Sequence, residues 1–191
     1  MNLHKGEAES KNLIGLTKLI RRNLELTDCL AVSLADELEF VDTYVDLEKE
    51  SLGDDFHFQQ ELDERIDLQA VKVPSMLLQI PVENAIKHGL RLKEGKRLLI
   101  IKVSRLDDGQ VDIVVCDNGG GYRPVSVNRG TGTGMKVITQ TIQLLNAYNP
   151  RPILVKINNV VVGDENEMGC EVRFVVPLNY SFQFKKLEFN L

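Results

Sequence analysis

At 191 residues the chain is long enough for one well-buried domain with an appendage and too short for two full-sized domains. Its 43% hydrophobic and 27% charged residues exclude a disordered or fibrous chain, and a net charge of -5 excludes a duplex nucleic-acid binder, which would want a basic face. No run reaches the ~18 consecutive apolar residues of a membrane span, and residues 1–10 lack the apolar core of a signal peptide, so a cytoplasmic chain without membrane contact of its own is expected.

Leu13, Leu16, Ile20 and Leu24 recur at helical spacing and predict an amphipathic helix over 10–26, ending near Thr27 and Asp28. Ser33 and Asp36 have capping-box spacing, with Asp in the usual Glu position, and Leu34, Leu38, Val41 and Val45 form the stripe of a second helix reaching toward Glu50. Gly53, Asp54 and Asp55 make a turn, after which Phe56, Phe58, Gln60 and Leu62 alternate as a strand does. Pro74 suits the first turn of a helix over 75–88, where its missing donor does no harm, and Gly89 is a natural stop. Residues 98–103 and 111–116 read as two strands joined through Asp107, Asp108 and Gly109, an antiparallel hairpin.

A glycine-rich stretch over 117–134 then leads into a helix with Met135, Ile138, Ile142 and Leu145 on one face, ended by Asn149 and Pro150. Ile153, Val155 and Ile157, followed by Cys170, Val172, Phe174 and Val176, alternate on either side of a polar turn and predict a second hairpin. Three cysteines cannot all pair. Cys116 and Cys170 lie within alternating apolar runs, where a thiol behaves as core filler. Strands on one side and helices on the other predict an α/β two-layer sandwich, with a helical region over 1–52 preceding a domain over 53–191.

Three glycine-bearing segments invite a nucleotide reading. No Gly-x-x-x-x-Gly-Lys-Ser/Thr occurs, and Pro124 and Met135 occupy the third glycine position of the two Gly-x-Gly-x-x-Gly candidates, so P-loop and dinucleotide folds are excluded. What remains is Glu83-Asn84-Ala85-Ile86-Lys87-His88-Gly89 on a helix, Asp117-Asn118-Gly119-Gly120-Gly121 after a strand, and Gly130-Thr131-Gly132-Thr133-Gly134 before a helix. Asn84 offers a hard carbonyl oxygen suited to Mg²⁺, which is held by few protein groups plus phosphate and water. Lys87, three residues on, places a point charge beside phosphates. Asp117 accepts from an exocyclic amine such as that of adenine, while Gly119 and Gly121 let the backbone approach a flat base. Glycines opening a helix expose free N–H groups and the positive dipole end, which suit a polyphosphate. Taken singly, each segment also reads as a satisfied helix Asn, turn chemistry or a loop before a cap.

In this order and on these elements the segments resemble the N, G1 and G2 boxes of the gyrase, heat-shock chaperone, histidine kinase and MutL ATPase superfamily. Residues 74–89, reading Pro-Ser-Met-Leu-Leu-Gln-Ile-Pro-Val-Glu-Asn-Ala-Ile-Lys-His-Gly, are similar to the LytS-type sensor histidine kinases in particular, and the likeness runs from about residue 10 to the C-terminus. It implies the Bergerat ATP-binding fold with a mixed, mainly antiparallel sheet, and ATP and Mg²⁺ as ligands. It further implies Asn84 on Mg²⁺, Lys87 and His88 near phosphates, Asp117 on adenine, and Gly119, Gly121, Gly130, Thr131, Gly132 and Gly134 shaping the nucleotide cradle and lid. Its expected partners are a response regulator of the LytTR type and, in the full-length protein, a second copy.

The departures matter as much. Hydrolytic members of the superfamily carry a glutamate one helical turn before the Asn84 position, and here that residue is Ile80, which cannot act as general base; slow or absent hydrolysis is expected. Glu83 lies about 100° around the helix from Asn84, where it serves a phosphoacceptor or a ligand water. The Pro-His-Phe-x-Phe-Asn-like motif that carries the phosphoacceptor in such kinases is missing. His4 sits in a polar terminus and His57 in a predicted strand, so the acceptor is expected before residue 1, in a parent with room for membrane spans. Ser51 stands where arginine is frequent and Cys170 where threonine is. Arg123 and Arg129 are expected to be solvated, with a γ-phosphate contact as the functional alternative. An anti-sigma-type serine kinase and a non-catalytic nucleotide-sensing dimerisation module are the competing readings.

Overall fold

The computed structural model of the chain describes residues 30–122, 133–163 and 166–183. The helix expected over 10–26, together with His4, Arg123, Arg129, Gly130, Thr131 and Gly132, lies outside them. In chain order the elements are β1 (Ala31–Ser33), α1 (Leu34–Leu52), β2 (Phe56–Leu62), β3 (Lys72–Pro74), α2 (Gln79–Asn84), β4 (Arg97–Arg105), β5 (Val111–Asp117), α3 (Thr133–Asn146), β6 (Leu154–Val162) and β7 (Glu167–Val176). After Asn84 the path of α2 widens into a π turn, Ala85–Gly89, and then tightens into a 3₁₀ turn, Leu90–Leu92.

Five strands form one sheet in the order β2-β4-β5-β7-β6. β2 runs parallel to β4 and every other neighbouring pair is antiparallel, so the sheet is mixed and mainly antiparallel. Both expected hairpins are present as β4–β5 and β6–β7. The first turns through Gly109 at φ 81, where a side chain would be strained. The parallel β2–β4 pair follows from the long crossover between them, which carries α2.

One face of the sheet holds the core. Leu99, Ile101, Ile113 and Phe174 pack in a single buried cluster with Val41 and Val45 of α1, Leu78, Val82 and Ile86 on the α2 side, and Ile138, Ile142 and Leu145 of α3. The opposite face carries only a thin cluster of Leu98, Val114, Cys116 and Val162. The predicted stripe of α1, Leu34, Leu38, Val41 and Val45, is buried throughout. Four such side chains, at roughly 1.5–3 kcal/mol each, hold α1 to the domain. Its capping box forms as read: Ser33 Oγ accepts the Asp36 N–H at 3.1 Å and the Asp36 carboxylate accepts the Ser33 N–H at 3.3 Å.

Two local readings need correction. Pro74 does not open a helix: it ends β3, paired antiparallel with β1 in the register Ala31↔Pro74. Met76, at φ 68, then turns the chain before α2 starts at Gln79. The proline in the first turn of a helix is Pro81, where a missing N–H costs nothing. Gly89 does not stop the helical path, which runs one 3₁₀ turn further to Leu92; it is glycine for a different reason, set by the site.

Candidate nucleotide site

A cavity of about 1160 Å³ opens between the α2 path, α3 and the ends of β5 and β7. Small-molecule sites commonly span about 300–1,000 Å³, so this one has room for a nucleoside triphosphate. Val115, Ile157 and Val172 form its apolar floor. Asn84, Ala85, His88 and Gly89 make one wall, and Met135, Lys136, Thr139, Gln140 and Gln143 of α3 the other. Asp117 and the loop over 118–122 close one end.

Asp117 is the last residue of β5 and only 6% exposed. Its Oδ1 accepts the Gly119 N–H at 2.7 Å. Burial pushes its carboxyl up to about 6, against the opposing pull of the Gly119 and Cys170 N–H groups. Two donors do not exhaust the roughly four acceptor positions of a carboxylate, so Asp117 presents acceptor capacity to the cavity it lines.

Close backbone approach explains the glycines beside it. A Cβ on Gly119 would lie 2.4 Å from the Gly89 Cα and 2.9 Å from Asp117 Oδ1, so Gly89 and Gly119 bring the end of the α2 path directly against the acidic loop. Gly121, at φ 83, leaves no room for a side chain against Asn159 Oδ1, 2.9 Å from where its Cβ would be. Asn159, from β6, clasps the loop by accepting the Tyr122 N–H and donating to the Tyr122 carbonyl. Asn118 anchors the other side: Oδ1 accepts the Leu98 N–H at 2.7 Å and Nδ2 donates to the Lys96 carbonyl at 3.0 Å. Nδ2 also donates to Glu167, which pairs with Lys93 at 2.6 Å.

The α2 residues divide between two faces. Asn84 and His88 line the cavity. Glu83 and Lys87 pair with each other at 2.7 Å on the neighbouring face, where Glu83 also accepts from Gln79 Nε2 at 2.9 Å, and neither lines the cavity. Gly134 packs on α2 instead, its would-be Cβ 3.1 Å from Ile80 Cγ2. Ile80 thus contacts the start of α3, and no acid stands at that position.

Lys93, Lys136, Thr139, Gln140 and Gln143 line the cavity without having been singled out in the sequence. Lys136 carried a usable signal, a cation in the first turn of a helix that begins on a glycine loop; Lys93 carried none. Among the described residues no three His, Cys, Asp or Glu side chains gather as a metal site. A lone amide at Asn84 nonetheless suits Mg²⁺ supplied with a nucleotide, because phosphate oxygens and water fill most of its shell. Cys116 and Cys170 are free thiols, and burial pushes each up to about 12.

A mixed five-stranded sheet with helices on one face, and a nucleotide-sized cavity between them, is the ATP-binding fold of histidine kinases. ShkA, solved full-length in complex with AMPPNP, superposes with a TM-score of 0.53 at 16% identity, covering 89% of this chain and 36% of that one. ThkA, solved in complex with the response regulator TrrA, gives 0.51 at 15% identity over 92% of this chain and 50% of that one.

No family model matches the chain. In sequence it is a relative of the LytS-type sensor histidine kinases. The LytS sensor protein of Staphylococcus saprophyticus is 30% identical over 93% of this chain and 30% of its own length. The sensor histidine kinase YpdA of Escherichia coli is 29% identical over 86% of this chain and 28% of its own length. The chain spans less than a third of the length of these curated relatives. Among the described residues no helix is long and apolar enough to cross a membrane.

Proposed function

We propose that this chain is the ATP-binding catalytic module of a two-component sensor histidine kinase. It holds Mg·ATP and presents the γ-phosphate to a histidine outside this chain, for relay to a response regulator of the LytTR type. One observation carries the reading: the buried acceptor Asp117 and the amide of Asn84 line one cavity with room for the nucleotide. Asp117 takes the adenine amine. Asn84 would hold Mg²⁺, which would supply neutralising charge to the phosphates. His88 and Lys136 stand beside the phosphates; Gly130, Thr131 and Gly132, outside the described residues, are assigned to the phosphates on their sequence alone, and Gly134 supports α3 against Ile80 instead. Lys87 joins them by leaving Glu83, a short swing for a four-carbon stem. Glu83 is then free to face the phosphoacceptor.

Phosphoryl transfer rests on positioning and charge stabilisation, so a site with isoleucine at position 80 transfers rather than hydrolyses. Dimerisation in the full-length kinase falls to the region 1–52, whose β1 and α1 also pack into the core of the domain 53–191 that serves ATP, and both work in the cytoplasm beneath any membrane spans of the parent. Calorimetric titration of the purified chain with AMPPNP and Mg²⁺ tests the reading. Saturable one-site binding is expected, and no heat of binding at millimolar ligand contradicts it.

A further inference from the structure

α1 buries a carboxylate in the middle of its apolar stripe. Glu37 is 0% exposed, between Leu34, Leu38 and Val41. A charge in such surroundings costs several kcal/mol unless it is satisfied. Glu37 is satisfied by main chain: Oε1 accepts the Met76 N–H at 2.7 Å, and Oε2 accepts the N–H groups of Leu78 at 2.9 Å and Gln79 at 3.4 Å. Burial raises its carboxyl, and these N–H groups oppose the rise.

Gln79 is the first residue of α2, and Met76 and Leu78 belong to the turn between β3 and α2. Met76 is held there at φ 68, a left-handed conformation that costs a non-glycine residue about 1–3 kcal/mol and persists only where its surroundings enforce it. The residue before α2, Leu78, supplies no side-chain cap of its own. Glu37 therefore supplies from a distant helix what the local sequence lacks. α2 runs only from Gln79 to Asn84 before it widens into the π turn, so the placement of its first residues sets the placement of Asn84. The far end of that path is fixed separately, by the contact of Gly89 with Gly119.

We infer that Glu37 is a positioning residue for the nucleotide site: it fixes the turn over 76–79, and through it the distance of Asn84 from the Asp117 end of the cavity. The inference rests on the ATP-binding reading above. It assigns to α1 a direct hold on the Mg²⁺-binding wall and none on the adenine-binding end.

The test measures AMPPNP binding to the full chain by calorimetry, with and without MgCl₂, for wild type, E37Q and E37D. Glutamine keeps the shape but turns one acceptor into a donor facing N–H groups; aspartate keeps both oxygens but withdraws them by one methylene. Displacing an outer support of a metal ligand weakens metal binding by about 10–100-fold, so the Mg²⁺-dependent gain in affinity should fall about tenfold or more in a folded variant, while Mg²⁺-free affinity stays within about threefold of wild type. Circular dichroism establishes which variants fold. A folded variant with the wild-type Mg²⁺ gain overturns the inference, as does one whose Mg²⁺-free affinity falls equally. If neither variant folds, Glu37 is a folding residue and the inference falls. Wild type that binds no AMPPNP overturns the ATP-binding reading itself, a result distinct from the others.

Discussion

Asp117→Asn should make the domain more stable at neutral pH. Moving the Asp117 carboxyl from 3.8 to about 6 is a change of roughly two units, with burial as the first cause. At about 1.4 kcal/mol per unit, the ionised side chain costs the folded state about 3 kcal/mol above pH 6. Because the folded value lies above the unfolded one, the contribution of Asp117 is fully present below about pH 4 and is lost as pH rises through about 6. The amide removes the charge and keeps one acceptor, but leaves either the Gly119 or the Cys170 N–H unpaired, a loss of about 1 kcal/mol. The net gain is roughly 2 kcal/mol at pH 7.5, shrinking to nothing or to a slight loss near pH 4. Urea unfolding followed by circular dichroism at the two pH values measures it. A variant no more stable than wild type at pH 7.5, or a difference that does not change with pH, refutes the reasoning.

Three further outcomes follow from the same geometry. Gly119→Ala places a methyl 2.4 Å from the Gly89 Cα, a backbone atom that cannot step aside; a destabilisation of about 1–3 kcal/mol is expected in urea unfolding, and an unchanged midpoint would falsify the close approach. Nucleotide affinity should be flat above pH 7 and fall on acidification through about 6, because an amine donor favours the charged form of Asp117 and lowers its pKa in the complex. Calorimetry at pH 6 in two buffers of different ionisation enthalpy should then detect proton release, and affinity that rises with acid is the contrary result. Cys116 and Cys170, raised from 9.0 to about 12 by burial, should alkylate with iodoacetamide on the order of 10²–10³ times more slowly in the folded chain than in urea. Mass mapping reads each site, buried Cys116 and half-buried Cys170, and equal rates contradict the reasoning.

Local chemistry was legible where it was decided locally. The Ser33–Asp36 box, the α1 stripe, both hairpins and the helix of Ile138, Ile142 and Leu145 all follow from spacing and caps, and the structure forms each. Asn84, His88, Asp117, Gly119 and Gly121 stand out in the sequence because helix, strand end and loop follow in a set order, and all five line one cavity. What escaped was decided at a distance. Pro74 is extended because β1 pairs with it and because Glu37, from α1, holds the turn that follows. Gly89 resembles a helix stop, but its missing Cβ makes room for Gly119, thirty positions away. Lys87 pairs with Glu83 and does not line the cavity with Asn84, and it lies in the π turn over Ala85–Gly89, where α-helical spacing no longer sets the faces. Lys93 lines the cavity while paired with Glu167 of β7, a partner 74 positions away.

The central claim is that Asp117 selects the base through its exocyclic amine. The most direct measurement compares the affinity of ATP with that of purine riboside triphosphate, which lacks only that amine, for wild type and Asp117→Asn in Mg²⁺ at pH 7.5. A hydrogen bond to a charged acceptor contributes about 1.5–3 kcal/mol, so wild type should prefer ATP by roughly 10–100-fold and the variant by no more than about threefold. Equal affinity of wild type for the two nucleotides would contradict the account.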